Sequence, residues 1–210
     1  MEVTKVNEKF FALPEEKQNR IINAGYRVFS QNSYKKSPMS EIADAAGISK
    51  SLLFHYFHNK LELYLFLWEN CAKTTVKYLS EYGCYELTDL FEMLIRGMQA
   101  KLAIMRQYPY IGAFAVKAFY EKDPEVRPYI QESYQKLLQY KADNTLKKLN
   151  PDQFIEGLDL RMMYRDMYLA SEGYVWELVH QDGDLDIDKM EQDFTEMIAF
   201  WKKIYLRKEG

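Results

Sequence analysis

The stretch from Ser37 to Lys60, SPMSEIADAAGISKSLLFHYFHNK, limits what this chain can fold into more than any other. Met39, Ile42, Ala43 and Ala46 recur at helical spacing; Gly47 interrupts them, and Leu52, Leu53, Tyr56 and Phe57 resume the pattern. Glycine adopts the left-handed backbone that a tight turn requires. Ser37 and Ser49 stand at predicted N-caps. Pro38 falls at a first helical position, where a missing N–H costs nothing. The spacing predicts a short helix, a glycine turn and a second short helix, the helix-turn-helix arrangement. Asn59-Lys60-Leu61-Glu62 then opens a third helix, with Glu62 three residues beyond its cap. Pattern alone also fits two adjacent short helices without a special task.

Charge is divided in a way that bears on this choice. Residues 1–60 carry nine Lys and Arg against six Asp and Glu, whereas the remainder carries 19 against 25. A basic head on an acidic body has the sign expected of a nucleic-acid reader, although solvated helix surface would give the same balance. The rest of the composition fits an all-α chain: Gly and Pro are sparse and sit at boundaries. At 210 residues there is room for a small domain and a larger one. No apolar run approaches the roughly 20 residues of a membrane span, and the N-terminus has no apolar signal core. The expected location is the cytoplasm, with Cys71 and Cys84 reduced and engaged in packing.

Three groups of residues carry a resemblance. Ile42-Ala43, Ala46-Gly47-Ile48-Ser49-Lys50 and Phe54-His55-Tyr56-Phe57, followed by Asn59-Lys60, resemble the DNA-binding domain of the tetracycline-repressor (TetR) family, without a gap from about Ile21 to Tyr64. The resemblance implies an N-terminal three-helix DNA-binding domain over residues 1–60 and a larger helical domain for ligand binding and dimerisation over 61–210, about nine helices in all. It implies double-stranded DNA as partner, a small hydrophobic or aromatic effector, a homodimer on a pseudo-palindromic operator, and repression relieved by the effector. A structural DNA-binding or scaffold protein on the same fold, with no effector, is the alternative.

On that resemblance the recognition helix runs from Lys50 to Phe57. Its candidate DNA contacts are Ser37, Ser49, Lys50, Ser51, Leu52, Phe54, His55, Tyr56 and Lys60. Lys50 has the length to reach a guanine edge or a phosphate, Ser51 can bond a base edge, and Leu52 can touch a thymine methyl or face inward. Lys35 and Lys36 are expected near phosphates. Ser33 stands where the family usually closes its first helix with glycine, so Asn32 or Ser33 is expected to close it, with asparagine tolerating the left-handed cap best. Residues 1–13 are expected to form a polar arm whose Phe10 and Phe11 pack on the first helix, the alternative being that Lys5 and Lys9 reach a DNA backbone or minor groove.

Further helices are expected from Lys60 to about Tyr82, Thr88 to Gln107, Tyr110 to Glu121, Asp123-Pro124 to Leu149, Leu158 to His180 and Ile187 to Leu206. The last has apolar residues at Ile187, Met190, Phe194, Met197, Trp201 and Ile204, spaced 3, 4, 3, 4, 3 as in a packed helix pair. The helix before it is apolar on two sides. Tyr164, Tyr168, Val175, Val179, Phe194, Met197, Trp201 and Ile204 are therefore candidate dimer contacts, though burial within one subunit would give the same pattern. Met98, Met105, Phe114, Met163, Tyr164, Met167 and Tyr168 are candidate effector contacts, because Met and Tyr make adaptable apolar walls. A filled core explains them equally well.

The segment Asp182–Asp188 begins like a calcium loop, but its sixth position is Ile187 and its twelfth is Asp193, where glycine and glutamate are required. Asp186 as a helix cap is the simpler reading, and no metal or other cofactor is expected. No catalytic motif is present: there is no GxSxG, no phosphate-binding glycine loop and no HExxH, so the chain is not read as an enzyme.

Overall fold

The computed structural model describes residues 6–180 and 186–208, with the backbone alone for 137–144 and 180. The described residues form ten α-helices and no sheet: α1 (Glu8–Phe11), α2 (Glu15–Gln31), α3 (Met39–Ala46), α4 (Lys50–Tyr56), α5 (Lys60–Glu81), α6 (Leu90–Gln107), α7 (Ile111–Phe119), α8 (Arg127–Leu146), α9 (Leu160–His180) and α10 (Ile187–Tyr205). Short 3-10 turns occupy Tyr34–Lys36 and Pro151–Gln153. None of the described helices is long and apolar enough to cross a membrane.

The chain divides into two compact units. Met1–Thr74 and Gln107–Tyr134 form one; Thr75–Arg106 and Gln135–Gly210 form the other. The first therefore holds the helix-turn-helix and, in addition, α7 with the segments flanking it.

In the first unit α2 is the shared wall, with α3 and α7 both packed along it. Its stripe Ile21, Ile22, Ala24, Gly25, Tyr26, Val28 and Phe29 is buried. Glu15 and Glu16 lie in its first turn, where the helix dipole favours negative charge. Gly25 marks a close approach: a Cβ there would lie 2.6 Å from Leu67 Cδ1 on α5, so the leucine side chain would have to shift. Phe114 of α7 completes an aromatic cluster, its ring centroid 5.1 Å from Tyr26, 5.3 Å from Tyr64 and 6.3 Å from Phe29. The Tyr26 hydroxyl donates to the Leu67 carbonyl at 3.2 Å and accepts from Asn70 Nδ2 at 3.0 Å. Burial pushes the hydroxyls of Tyr26, Tyr34 and Tyr64 upward in pKa, so these phenols stay protonated. Polar links fasten residues 107–123 to the same body. Tyr108 Oη donates to Asn19 Oδ1 at 2.7 Å, Asn23 Nδ2 to the Gln107 carbonyl at 3.3 Å, and the Tyr34 amide to Glu121 Oε2 at 2.7 Å.

The closure of α2 differs from expectation. Asn32 is extended, with φ −125° and ψ 159°, and among the described residues only glycines have positive φ. Asn32 instead turns its side chain back, and both its amide and its Nδ2 donate to the Val28 carbonyl, at 3.2 and 3.3 Å. Asn32 is therefore one of the two residues expected to close α2, but it does so without the left-handed backbone.

In the second unit Leu90, Phe91, Leu149, Phe154, Met163, Met167, Ile198 and Trp201 make a continuous buried core. Its helices start at side-chain caps: Asp89 for α6, Asp159 for α9 and Asp186 for α10, accepting from Glu92, Arg161 and Lys189 amides at 2.8, 2.9 and 2.9 Å. The Asp186 cap is as expected; residues 181–185 of that segment lie outside the described residues. The helix anticipated from Asp123-Pro124 begins at Arg127, in the first unit, after a turn in which the Asp123 carbonyl accepts from the Val126 and Arg127 amides. After α10, Leu206 pairs with Phe154 in a single antiparallel bridge, with Ile155 N–Tyr205 O at 3.0 Å and Arg207 N–Gln153 O at 2.9 Å.

Candidate nucleic-acid interface

The turn between α3 and α4 is built by Gly47, which sits at φ 65°, ψ 38°. Its amide donates to the Asp44 carbonyl at 3.1 Å and that of Ile48 to the Ala43 carbonyl at 3.0 Å, the paired closure of a left-handed helix stop. No atom lies within 4 Å of the place a Gly47 Cβ would take, so backbone conformation alone demands glycine here. Ser49 Oγ accepts from the Leu52 amide at 3.2 Å and starts α4. Ile42, Ala43, Ala46 and Leu53 are fully buried behind the turn, fixing α4 against α3.

This packing leaves one end of α4 facing solvent. Ser49, Lys50 and Ser51 are exposed there, with the two serine hydroxyls 3.0 Å apart. Lys50 Nζ lies 5.9 Å from the Phe54 ring, which is 36% exposed. His55 is exposed and Leu52 is half-buried. A flexible cation, two hydroxyls and an exposed ring form a mixed surface able to bond base edges and phosphates. Lys35 and Lys36 are exposed in the 3-10 turn that leads into α3. Lys60 is half-buried; its ammonium sits 4.5 Å from the Tyr34 ring centroid and donates to the Lys35 carbonyl at 3.3 Å. Asn59 Oδ1 accepts from the Glu62 amide at 2.8 Å, and Asn59 Nδ2 donates to Glu62 Oε1 at 3.3 Å.

Ser37 requires a correction. It does not cap α3, and it is fully buried. Its hydroxyl donates to the Ser33 carbonyl at 3.0 Å and lies 3.5 Å from that of Val28, so it closes the segment after α2 and offers nothing to a phosphate. Tyr56 is also buried, with its ring 5.9 Å from Phe10 and 6.0 Å from His55.

The N-terminal arm holds what the sequence reading missed. Asn7 is the N-cap of α1, and it also touches the far end of α4: its amide donates to the Tyr56 carbonyl and its Nδ2 to the His55 carbonyl, both at 3.0 Å. Phe10 is fully buried against Tyr56, Phe57 and Phe66, whereas Phe11 is exposed. The arm thus packs on α4 and α5, where packing on α2 was expected. The asparagine ahead of an apolar pair is a capping signal that could have revealed α1, though not its partner.

The candidate effector and dimer residues scatter. Phe114 belongs to the aromatic core of the first unit, and Met163, Met167 and Trp201 to the core of the second, with Met98, Tyr164 and Met197 packed against that second core. Phe114 and Trp201 are thus each packed into their own unit's interior. Met105, Tyr168, Val175, Val179 and Phe194 are half-buried, and Ile204 is exposed. A shallow depression of about 210 Å³ is lined by Phe154, Ile155, Leu158, Leu160 and Arg207 among others, none of them a candidate effector residue. Among the described residues, the large exposed apolar side chains of α9 are Met162, Leu169 and Trp176, and those of α10 Phe200 and Ile204. Met162, Leu169 and Trp176 recur every seven residues, a signal that was readable in the sequence.

Comparison with known proteins bears on this surface. Residues 21–66 match the family model described as bacterial regulatory proteins, tetR family. The HTH-type transcriptional activator FasR of Mycolicibacterium smegmatis is 43% identical over 51 residues, 24% of this chain and 23% of the relative, so the chain spans under a quarter of that protein's length. The fatty acid metabolism regulator protein of Bacillus subtilis is 21% identical over 183 residues, 87% of this chain and 94% of the relative. Among solved structures, the transcriptional regulator FadR from Bacillus subtilis in complex with stearoyl-CoA superposes with a TM-score of 0.61 at 19% identity, covering 85% of this chain and 96% of that one.

Proposed function

We propose that this chain, whose residues 21–66 match the family model of bacterial regulatory proteins, tetR family, is a ligand-responsive transcriptional regulator that reads double-stranded DNA with the exposed end of α4. The observation that carries this reading is the solvent-facing cluster Ser49, Lys50 and Ser51, held at a glycine turn by a buried apolar seam. Lys50 and Ser51 discriminate bases, and Lys35 and Lys36 supply sequence-independent attraction to phosphate. Residues 1–60 read DNA, and residues 61–210 bind the effector and a second subunit. The exposed series Met162, Leu169 and Trp176, with Phe200 and Ile204, supports homodimerisation through α9 and α10. Two heads then read a pseudo-palindrome.

The effector we propose is a long-chain fatty acyl compound, supported by the fatty-acid regulator among the relatives and by the stearoyl-CoA complex of a structural neighbour. The protein is a repressor, released when the acyl ligand binds one conformation better than the DNA-competent one. Moving occupancy from mostly bound to mostly free requires about 5 kcal/mol of differential affinity.

The test is selection of binding sites from a random duplex pool at near-physiological salt, followed by titration of the enriched duplex with long-chain acyl-CoA. Enrichment of a two-fold symmetric site, released by acyl-CoA, is the expected result. Enrichment without release would favour a DNA-binding protein that takes no such effector. No binding to any duplex would overturn the reading.

A further inference from the structure

We infer that Asn7 and the one-turn helix α1 form a clasp that positions the recognition helix, so that sequence discrimination by α4 depends on a residue 48 positions away in the chain. The inference rests on the DNA-reading role proposed for α4. The problem it solves is the length of α4, which has only seven residues. So short a helix has little stability of its own and takes its direction from what holds its two ends.

One end is held locally, by the Gly47 turn and the Ser49 cap. The other end has no glycine stop: Phe57 is extended at φ −128° and donates to the Leu53 carbonyl at 2.9 Å. That leaves the carbonyls of Phe54, His55 and Tyr56 among the four that a helix cannot satisfy internally. Asn7 takes two of them, with its backbone amide on Tyr56 and its Nδ2 on His55. Its Oδ1 meanwhile accepts from the Lys9 amide at 3.0 Å and starts α1. The two ends of one neutral amide thus serve two helices, as donor to the C-terminus of α4 and acceptor for the N-terminus of α1.

Phe10 anchors the clasp, fully buried with its ring 5.0 Å from Phe57 and 5.3 Å from Phe66. Gln18 on α2 fastens the other side, donating from Nε2 to the carbonyls of Leu13 at 2.8 Å and Phe11 at 3.2 Å. Phosphate contacts through flexible lysines tolerate slack in the helix axis, whereas hydrogen bonds from short serine side chains to base edges do not. Loosening the clasp therefore costs discrimination more than it costs general attraction to DNA.

Asn7→Asp is the diagnostic substitution. It keeps the size and the acceptor that caps α1, removes the Nδ2 donor, and sets a carboxylate against the carbonyl end of α4. Asn7→Ala, which adds no charge, is the control. Two readouts are taken on the full chain. The first is amide hydrogen exchange of the DNA-free protein. Exchange at Tyr56 and Phe57 should accelerate by about tenfold while α3 is unchanged, in line with the loss of one or two hydrogen bonds. The second is competition between the selected duplex and random duplex. The preference should fall roughly three- to tenfold in both variants, with the slope of affinity against salt unchanged. Faster exchange with an unaltered preference would make the clasp structural only and overturn the positioning role. Unaltered exchange in both variants would overturn the clasp itself. If the unsubstituted protein prefers no duplex, the DNA reading has failed, and the exchange measurement still decides whether Asn7 holds α4.

Discussion

Three serines of the helix-turn-helix show how surroundings decide what a hydroxyl does. Ser37 is sealed inside and bonded to main-chain carbonyls, whereas Ser49 and Ser51 face solvent at the start of α4. Ser37→Ala should lower stability by about 1 kcal/mol, the net worth of a buried hydrogen bond, and leave base preference and salt slope untouched. Ser51→Ala should do the reverse: relaxed preference at particular base positions with little change in melting temperature. Thermal melts and competition binding on the two variants separate these outcomes. Lys60 carries a double expectation, because its ammonium rests on the Tyr34 ring. Lys60→Ala should cost roughly 0.5–1 kcal/mol of stability for the lost cation–ring contact. It should also flatten the salt dependence of DNA binding. A stability loss with an unaltered slope would make Lys60 a packing residue alone.

Between elements, close approach and charge set the terms. Gly25 lets α2 meet the fully buried Leu67 of α5. Gly25→Ala should cost about 1–3 kcal/mol, the usual range for inserting a methyl group into a packed core, read as a fall in unfolding midpoint. In the second unit Tyr174 on α9 donates its hydroxyl to Asp193 Oδ2 on α10 at 2.6 Å, and Lys189 Nζ lies 2.9 Å from the same oxygen. The Tyr174 hydrogen bond and then the Lys189 contact lower the carboxyl pKa of Asp193. A group lowered on folding stabilises above its unfolded pKa, near 4 for aspartate, and loses that contribution as pH falls through the folded value. Tyr174→Phe keeps the ring against Phe194 and removes the hydroxyl. It should therefore melt below the parent protein at pH 7, with the difference shrinking toward pH 3; a gap that stays constant across that range would sink the assignment.

For the molecule as a whole, the exposed apolar series on α9 makes the strongest demand. Leu169 is 55% exposed, so its replacement by a charge costs little within one chain. On the proposed homodimer, Leu169→Glu should sediment as a monomer where the parent sediments as a dimer, keep its helical signal, and bind the selected duplex more weakly because two heads no longer act together. A dimer that survives this substitution would move the interface away from the middle of α9.

The helix-turn-helix was legible in the sequence because its determinants are local. Gly47 needs a backbone that glycine adopts, and the Ser49 cap and the Asn59–Glu62 pair act within four residues; such features survive without knowledge of any neighbour. The same locality made the Asp186 cap of α10 readable. Periodicity went further and marked part of the buried stripe of each helix, but on α10 it took in the exposed Ile204 and passed over the buried Ile198, and it carries no label for the partner. Phe114 read as an effector contact and completes a core with Tyr26 and Tyr64; Trp201 read as a dimer contact and fills its own unit's interior. Ser37 read as a cap because sequence gives a hydroxyl's position along the chain and not the carbonyls it meets. The clasp of Asn7 on α4 was beyond reach for the same reason. A hydrogen bond across 48 residues exists only once packing has brought the two helix ends together, and that decision belongs to the tertiary structure.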